Sequence, residues 1–127
     1  MKILSSVYQA LIDHAIAESP RECCGFLGGV DGLLCARLPA ENVAADPEHY
    51  YEISPYDQYS IRRKMRNNGC DFVAVYHSHP HGKAEPSTTD LRFAFALARV
   101  IVTPQEVRAF HALESKWRPI ELDIVSA

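Results

Sequence analysis

The residues best suited to chemistry are two histidines, His77 and His79, which follow a short apolar run that ends at Tyr76. Such a run is typical of a buried strand, and residues two apart on a strand point to the same side. The imidazoles are therefore expected to converge, and Asp90 brings in a carboxylate on the next element. Two imidazoles and a carboxylate leave the fourth position of a tetrahedral zinc ion open to water, as in catalytic zinc sites.

Both parts of this pattern also have ordinary structural interpretations. Ser87-x-x-Asp90 is typical of a helix start, with Ser87 as the cap and Asp90 in the first turn. His81 shows that the loop is simply rich in histidine, and a lone His-x-His is a moderate signal. The combination favours a metal site, because a strand end, a short loop and a helix start bring distant ligands around one open position.

A zinc-bound water needs a base that takes its proton and later delivers it to the leaving amine. Glu22, which lies just before a predicted strand, is a candidate. A solvent-facing glutamate at a helix-to-strand junction is the other interpretation of this residue. Spacing alone does not favour Glu22 over Glu52 or Glu85.

The elements that must position these residues form an alternating series of helices and strands. Apolar spacing predicts a first helix over 6–19, and Ser54 and Pro55 predict the start of a second, which ends near Gly69. A third helix is expected to begin near Ser87. Asp31-Gly32 predicts the turn of an antiparallel hairpin. The predicted strands are 24–30, 33–38, 50–53, 71–76, 99–103, 106–113 and segments within 117–125.

Size and charge limit the possible classes of protein. The 127 residues, 47% hydrophobic and 23% charged, predict a single globular domain spanning 1–127, and the mixture of predicted helices and strands makes it α/β. A net charge of -3 does not indicate electrostatic binding of nucleic acid. The basic run 62–66 is interpreted as a solvated helix face. No apolar run matches a secretory signal or a membrane span, so a cytoplasmic protein is expected. The sequence does not indicate an oligomeric state.

The four cysteines, Cys23, Cys24, Cys35 and Cys70, form neither paired Cys-x-x-Cys motifs nor a secreted disulfide framework. They are expected to be reduced and mostly buried, since free cysteine behaves as a small hydrophobe. Metal binding or redox chemistry at the vicinal pair is the minor alternative.

Taken together, Glu22 with Cys24-Gly25-Phe26-Leu27-x-Gly29, His77-Ser78-His79-Pro80 and Ser87-x-x-Asp90 resembles the JAMM (MPN+) metalloprotease motif. The resemblance implies a cytidine-deaminase-like JAMM fold, a mixed and mostly antiparallel sheet flanked by about three helices. It implies His77, His79 and Asp90 as zinc ligands. By the same resemblance, Glu22 is the general acid/base and Ser87 a donor to the oxyanion.

The resemblance also implies a substrate class. The compact chain is similar to prokaryotic members that cleave an amide or isopeptide bond after the C-terminal Gly-Gly of a ubiquitin-like or sulfur-carrier protein. Two alternatives are a non-catalytic MPN-type interaction module and a RadC-like, DNA-linked protein. The His-x-Glu and Pro-Cys-x-x-Cys signatures of nucleoside deaminases and the His-Glu-x-x-His helix of common metalloproteases are absent from the sequence.

Overall fold

A computed structural model describes residues 1–86, 97–113 and 116–126. These residues form one eight-stranded mixed sheet and two helices. The helices are α1 (Ser5–Glu18) and α2 (Pro55–Asn67). The strands are β1 (Lys2–Leu4), β2 (Cys24–Val30), β3 (Leu33–Ala40), β4 (Asp71–Ser78), β5 (Ala98–Val102), β6 (Val107–Leu113), β7 (Lys116–Ile120) and β8 (Asp123–Val125).

The strand order is β7-β6-β5-β4-β2-β3-β1-β8, with β4 and β2 at the centre. The pairs β2/β3, β2/β4, β5/β6 and β6/β7 are antiparallel, whereas β1/β3, β1/β8 and β4/β5 are parallel. This confirms the mixed, mostly antiparallel sheet. The central strands are buried on both faces because a helix packs on each side of the sheet.

Helix α1 covers one face. Its buried residues Val7, Leu11 and Ala15 recur at helical spacing and pack in a cluster that includes Leu27 and Tyr76. The observed bounds agree with the predicted helix to within one residue at each end. The hairpin between β2 and β3 is also confirmed. Asp31 and Gly32 have φ values of 51° and 79°, the two positive values that a tight type I′ turn requires.

Helix α2 covers the opposite face, where Ile61 and Met65 pack with Phe26 and Val75. Its predicted start is confirmed, because the Ser54 hydroxyl accepts a hydrogen bond of 3.1 Å from the Asp57 N–H and Pro55 is the first helical residue. In the basic run that follows, the four cationic residues are exposed and Met65 is buried, as a solvated helix face requires.

The predicted strand at 50–53 is wrong. The Glu52 N–H donates to the Asn42 side chain and the Glu52 carbonyl accepts from Val43, so these backbone groups are satisfied within a loop and make no ladder. The segment 117–125 contains parts of two strands, β7 and β8, and β1 was not predicted. The third helix expected near Ser87 lies outside the described residues. Within the described ranges, no helix is long and apolar enough to span a membrane.

Candidate functional site

The end of β4 carries the histidines and is fixed from both sides. The register pairs His77 with Cys24 of β2 and with Ile101 of β5. Beyond it, the Ser78 N–H donates to the Cys23 carbonyl at 3.0 Å, and the His79 N–H donates to the Val102 carbonyl at 2.9 Å. The backbone that presents both imidazoles is therefore held by its two neighbouring strands.

The two imidazoles converge as their spacing predicts. Nε2 of His77 and Nε2 of His79 are 3.0 Å apart, and Nδ1 of His79 lies 2.9 Å from the Lys83 carbonyl oxygen. Because a carbonyl only accepts, Nδ1 of His79 carries the proton in this contact and Nε2 keeps its lone pair. Metal-binding histidines commonly have such an outer hydrogen bond to a carbonyl, which fixes the ring and its tautomer.

Tyr51 covers the ring of His77. The two rings stack with centroids 4.5 Å apart and an angle of 18° between their planes. The guanidinium of Arg99 donates to the Tyr51 hydroxyl. His77 is only 1% exposed, so its ring is enclosed by this stack and by the sheet.

Glu22 lies beside the same strand end. It precedes Cys23, whose carbonyl accepts from Ser78, so Glu22 follows the β2/β4 register to a position near His79. Glu22 is 7% exposed and lines a cavity that His79 also lines. Of the other two glutamates considered from the sequence, Glu52 lines this cavity but is exposed, and Glu85 is exposed and does not line it. Of these three glutamates, Glu22 is the buried one, and it shares this cavity with His79.

The cavity has a volume of about 1280 Å³ and opens along the face of the sheet that carries α2. Phe26, Phe72 and Val75 are among its apolar lining residues. Its polar and charged lining residues include Glu22, Asp46, Glu48, His49, Tyr50, Tyr51, Glu52, His79 and His81. An apolar cavity with a few convergent polar groups is the usual form of a ligand-binding site.

The donor set suits zinc as far as the structure describes it. Two zinc–nitrogen bonds of about 2.0–2.1 Å at a tetrahedral angle place the nitrogens roughly 3.3 Å apart, close to the observed separation of the histidine Nε2 atoms. Within residues 1–86, 97–113 and 116–126, no group of three His, Cys, Asp or Glu side chains is arranged to hold a metal. The predicted third ligand, Asp90, and the predicted oxyanion donor, Ser87, lie outside these ranges.

The vicinal cysteines pack in the core, as the main interpretation of the sequence expected. Both are free thiols, and Cys23 and Cys24 are 2% and 0% exposed. Burial raises the pKa of Cys23 to about 11, and burial together with the Cys23 sulfur raises the pKa of Cys24 to about 12. Near neutral pH both thiols are therefore protonated, which disfavours a nucleophilic role.

Two residues of the site were not identified from the sequence. Tyr51 stacks on His77, and buried Asn42 hydrogen-bonds to the backbone of Glu22. Both lie in the loop between β3 and α2. The pattern around Asn42 indicates only a polar, proline-bearing connection, whereas the neighbouring tyrosines Tyr50 and Tyr51 are typical of a β-strand and give no sign of a ring that stacks on His77.

Comparison with known proteins identifies the family. Residues 4–118 match the Prok-JAB family model, which represents prokaryotic homologs of the JAB domain. Among curated proteins, a desampylase of Haloferax volcanii is 33% identical over 96 residues, 71% of this chain and 69% of that protein. The CysO-cysteine peptidase of Mycobacterium tuberculosis is 31% identical over 94 residues, 72% of this chain and 64% of that protein. A probable TtuB-protein conjugate cleaving protease of Thermus thermophilus is 32% identical over 98 residues, 76% of this chain and 66% of that protein.

Solved structures agree with the family match. A protein from Desulfitobacterium hafniense has a TM-score of 0.86 at 29% identity, covering 100% of this chain and 94% of that one. A structure described as a metalloprotease-like zinc site in the proteasome and signalosome has a TM-score of 0.65 at 18% identity, covering 99% and 98%. The second likeness concerns the fold alone. Because the family model matches residues 4–118, most of this chain, the chain belongs to the prokaryotic branch of the JAB (JAMM/MPN) domain family.

Proposed function

We propose that this protein is a zinc-dependent peptidase that cleaves the amide or isopeptide bond after the C-terminal Gly-Gly of a ubiquitin-like or sulfur-carrier protein. The observation that carries the proposal is the pair of histidine Nε2 atoms 3.0 Å apart, with buried Glu22 lining the cavity next to them. Two converging imidazole nitrogens and a buried carboxylate that shares a cavity with His79 are the kinds of group that metal-assisted hydrolysis uses, and they support the proposal.

The names of the relatives support the substrate class. They describe a desampylase, a CysO-cysteine peptidase and a protease that cleaves TtuB-protein conjugates. The fold neighbour described as a metalloprotease-like zinc site supports zinc as the metal. The matched region spans about two thirds of each of these curated proteins.

In the proposed site, His77 and His79 would hold the metal through Nε2, and Asp90 would supply the third ligand. A zinc ion held there would supply Lewis-acid chemistry, which lowers the pKa of a bound water to about 7 and polarises a carbonyl. The Glu22 carboxylate accepts the proton of the attacking water and then delivers it to the nitrogen of the leaving amine. Ser87 donates to the oxygen on which negative charge develops. A Gly-Gly tail suits the site because glycine lets the substrate backbone approach closely.

The test incubates the wild type and Glu22→Gln with sulfur-carrier proteins that are extended beyond Gly-Gly. Cleavage is measured as the change in the intact mass of the substrate, with and without chelator. The wild type is expected to release the extension only without chelator. Glu22→Gln is expected to retain zinc by elemental analysis and to lose cleavage, because an amide does not accept the proton. Glu106→Gln, an exposed glutamate on the loop before β6, is the matched control and should cleave normally.

A second variant tests the ligands independently of the substrate. His77→Ala is expected to lose zinc, whereas His111→Ala, on β6, should bind zinc like the wild type. Undiminished zinc in His77→Ala would remove this residue from the ligand set. Wild-type cleavage by Glu22→Gln would remove Glu22 from the mechanism. Zinc binding without cleavage of any Gly-Gly fusion would refute the proposed substrate class but not the metal site. That result would agree with a non-catalytic module of this family.

A further inference from the structure

Asn42 lies outside the residues that resemble the family motif, yet its side chain is central to the site. It is 8% exposed and stands in the loop between β3 and α2. Its amide nitrogen Nδ2 donates to the Glu22 carbonyl at 2.9 Å and to the Tyr50 carbonyl at 3.0 Å. One side-chain amide thus joins the residue proposed as the base to the residue next to Tyr51.

The oxygen of the same amide organises the loop itself. Oδ1 of Asn42 accepts from the N–H of Ala44 at 3.0 Å and from the N–H of Glu52 at 3.2 Å. The Glu22 N–H donates in turn to the Pro47 carbonyl at 2.7 Å. The backbone of Glu22 is therefore held on both its N–H and its carbonyl by the 42–53 loop, and Asn42 closes that loop on itself.

This loop also reaches the histidines, because Tyr51 stacks on His77. Displacing the loop would move the Glu22 backbone and the ring that covers His77 together. The histidine backbone has separate support. Ser78 and His79 bond to Cys23 and Val102, and the His79 ring bonds to Lys83. Loss of Asn42 should therefore separate the base from the metal ligands without removing the ligands.

We propose that Asn42 is a positioning residue that sets Glu22 against the histidine pair through the 42–53 loop. The proposal rests on the proposed function in so far as Glu22 is the base. A shift of about 1 Å in a catalytic group can cost on the order of 100-fold in rate. Because zinc remains held by its own ligands, the loss is expected in kcat and not in zinc content.

Two substitutions divide the roles of the amide. Asn42→Asp keeps the oxygen that accepts from Ala44 and Glu52 but loses both donors, whereas Asn42→Ala loses donors and acceptor. Both variants are expected to bind zinc like the wild type and to lose roughly 10-fold to 100-fold in kcat on a Gly-Gly fusion. Asn67→Ala, at the exposed end of α2, is the control and should leave kcat unchanged.

A readout independent of cleavage keeps this inference separate from the substrate proposal. Stacking on Tyr51 should shift the His77 ring protons upfield in NMR spectra of the wild type. That shift should shrink in Asn42→Ala, and amide exchange of Glu22 should accelerate. In Asn42→Asp, the amides of Ala44 and Glu52 should stay protected while that of Glu22 exchanges faster.

The outcomes are distinguishable. If both variants turn over within about twofold of the wild type, or if exchange at Glu22 and the His77 shift are unchanged, Asn42 is not a positioning residue. If the wild type cleaves no Gly-Gly fusion, the substrate proposal fails and the NMR readout still decides the role of Asn42. If Asn42→Ala does not fold, Asn42→Asp decides it, because this variant retains the hydrogen bonds that the side-chain oxygen accepts from Ala44 and Glu52.

Discussion

The hydroxyl of Ser78 tests how the segment that contains Glu22 and Cys23 is held against β4. Ser78 lies between the two histidines and is 1% exposed. Its Oγ accepts from the Cys23 N–H at 2.7 Å, and its own N–H donates to the Cys23 carbonyl at 3.0 Å. Ser78→Ala keeps the backbone bond but leaves the buried Cys23 N–H without its acceptor.

The expected cost follows from this one unsatisfied donor. A buried polar group that loses its partner costs about 1–3 kcal/mol, and removing a single oxygen leaves too little space for a replacing water. With an unfolding entropy of about 2.1 cal/mol/K per residue, a chain of this length loses roughly 4 °C in Tm for each kcal/mol. Ser78→Ala should therefore lower Tm by about 4–11 °C.

The assay is thermal and urea unfolding in the presence of chelator, so that zinc binding to the folded state does not contribute. Ser6→Ala, an exposed serine in α1, is the control and should change stability by less than about 0.5 kcal/mol. A free energy of unfolding for Ser78→Ala within that same margin of the wild type would refute the reasoning. It would mean that the Cys23 N–H finds another acceptor.

Two further predictions concern the face of the sheet that carries α1. A Cβ at Gly25 would lie 2.5 Å from the Leu38 carbonyl oxygen and 2.6 Å from Cε1 of Tyr76, so Gly25→Ala should destabilise the fold by about 1–3 kcal/mol or more. Urea unfolding checks this against Gly82→Ala, where the nearest atom is 3.7 Å away, and equal stabilities would contradict it. Burial, and next the charge of Arg37, lower the pKa of His14 below its ordinary 6.5. The unfolded chain then binds the proton more readily, so the free energy of unfolding should fall as pH drops through 6.5. His14→Gln should reduce this slope, and an unchanged slope would exclude His14 as its source.

The fold was predictable where a local pattern determines an element. Helix α1 follows from its apolar spacing, the hairpin from Asp31-Gly32, and the start of α2 from Ser54 and Pro55. Strand β1 has three residues and is stabilised by parallel pairing with β3 and β8, which are distant in sequence. Short elements formed by distant partners leave no periodic signal, and for this reason β1 was missed.

The site was predictable to the same extent. The convergence of His77 and His79 needs only a strand end and a spacing of two. The contacts of Asn42 and Tyr51 depend on three segments meeting: the end of β2, the end of β4 and the 42–53 loop. The composition of 50–53 favours a strand, but the N–H and the carbonyl of Glu52 are hydrogen-bonded to Asn42 and Val43. Hydrogen bonds with the Asn42 side chain and the Val43 backbone thus override local propensity there.

The motif residues Glu22, just before β2, and Gly25, on β2, should act in different ways. Neighbouring residues of β4 point to opposite faces, so Tyr76 enters the α1 side while His77 enters the side of the cavity. Tyr76 is fully buried, and its hydroxyl bonds to His14 and Arg37, so its ring must cross β2 at Gly25. A side chain at Gly25 would push against the strand that presents His77. Gly25 therefore belongs to the motif for a steric reason, and its substitution should act through stability, whereas substitution of Glu22 should act through the chemical step.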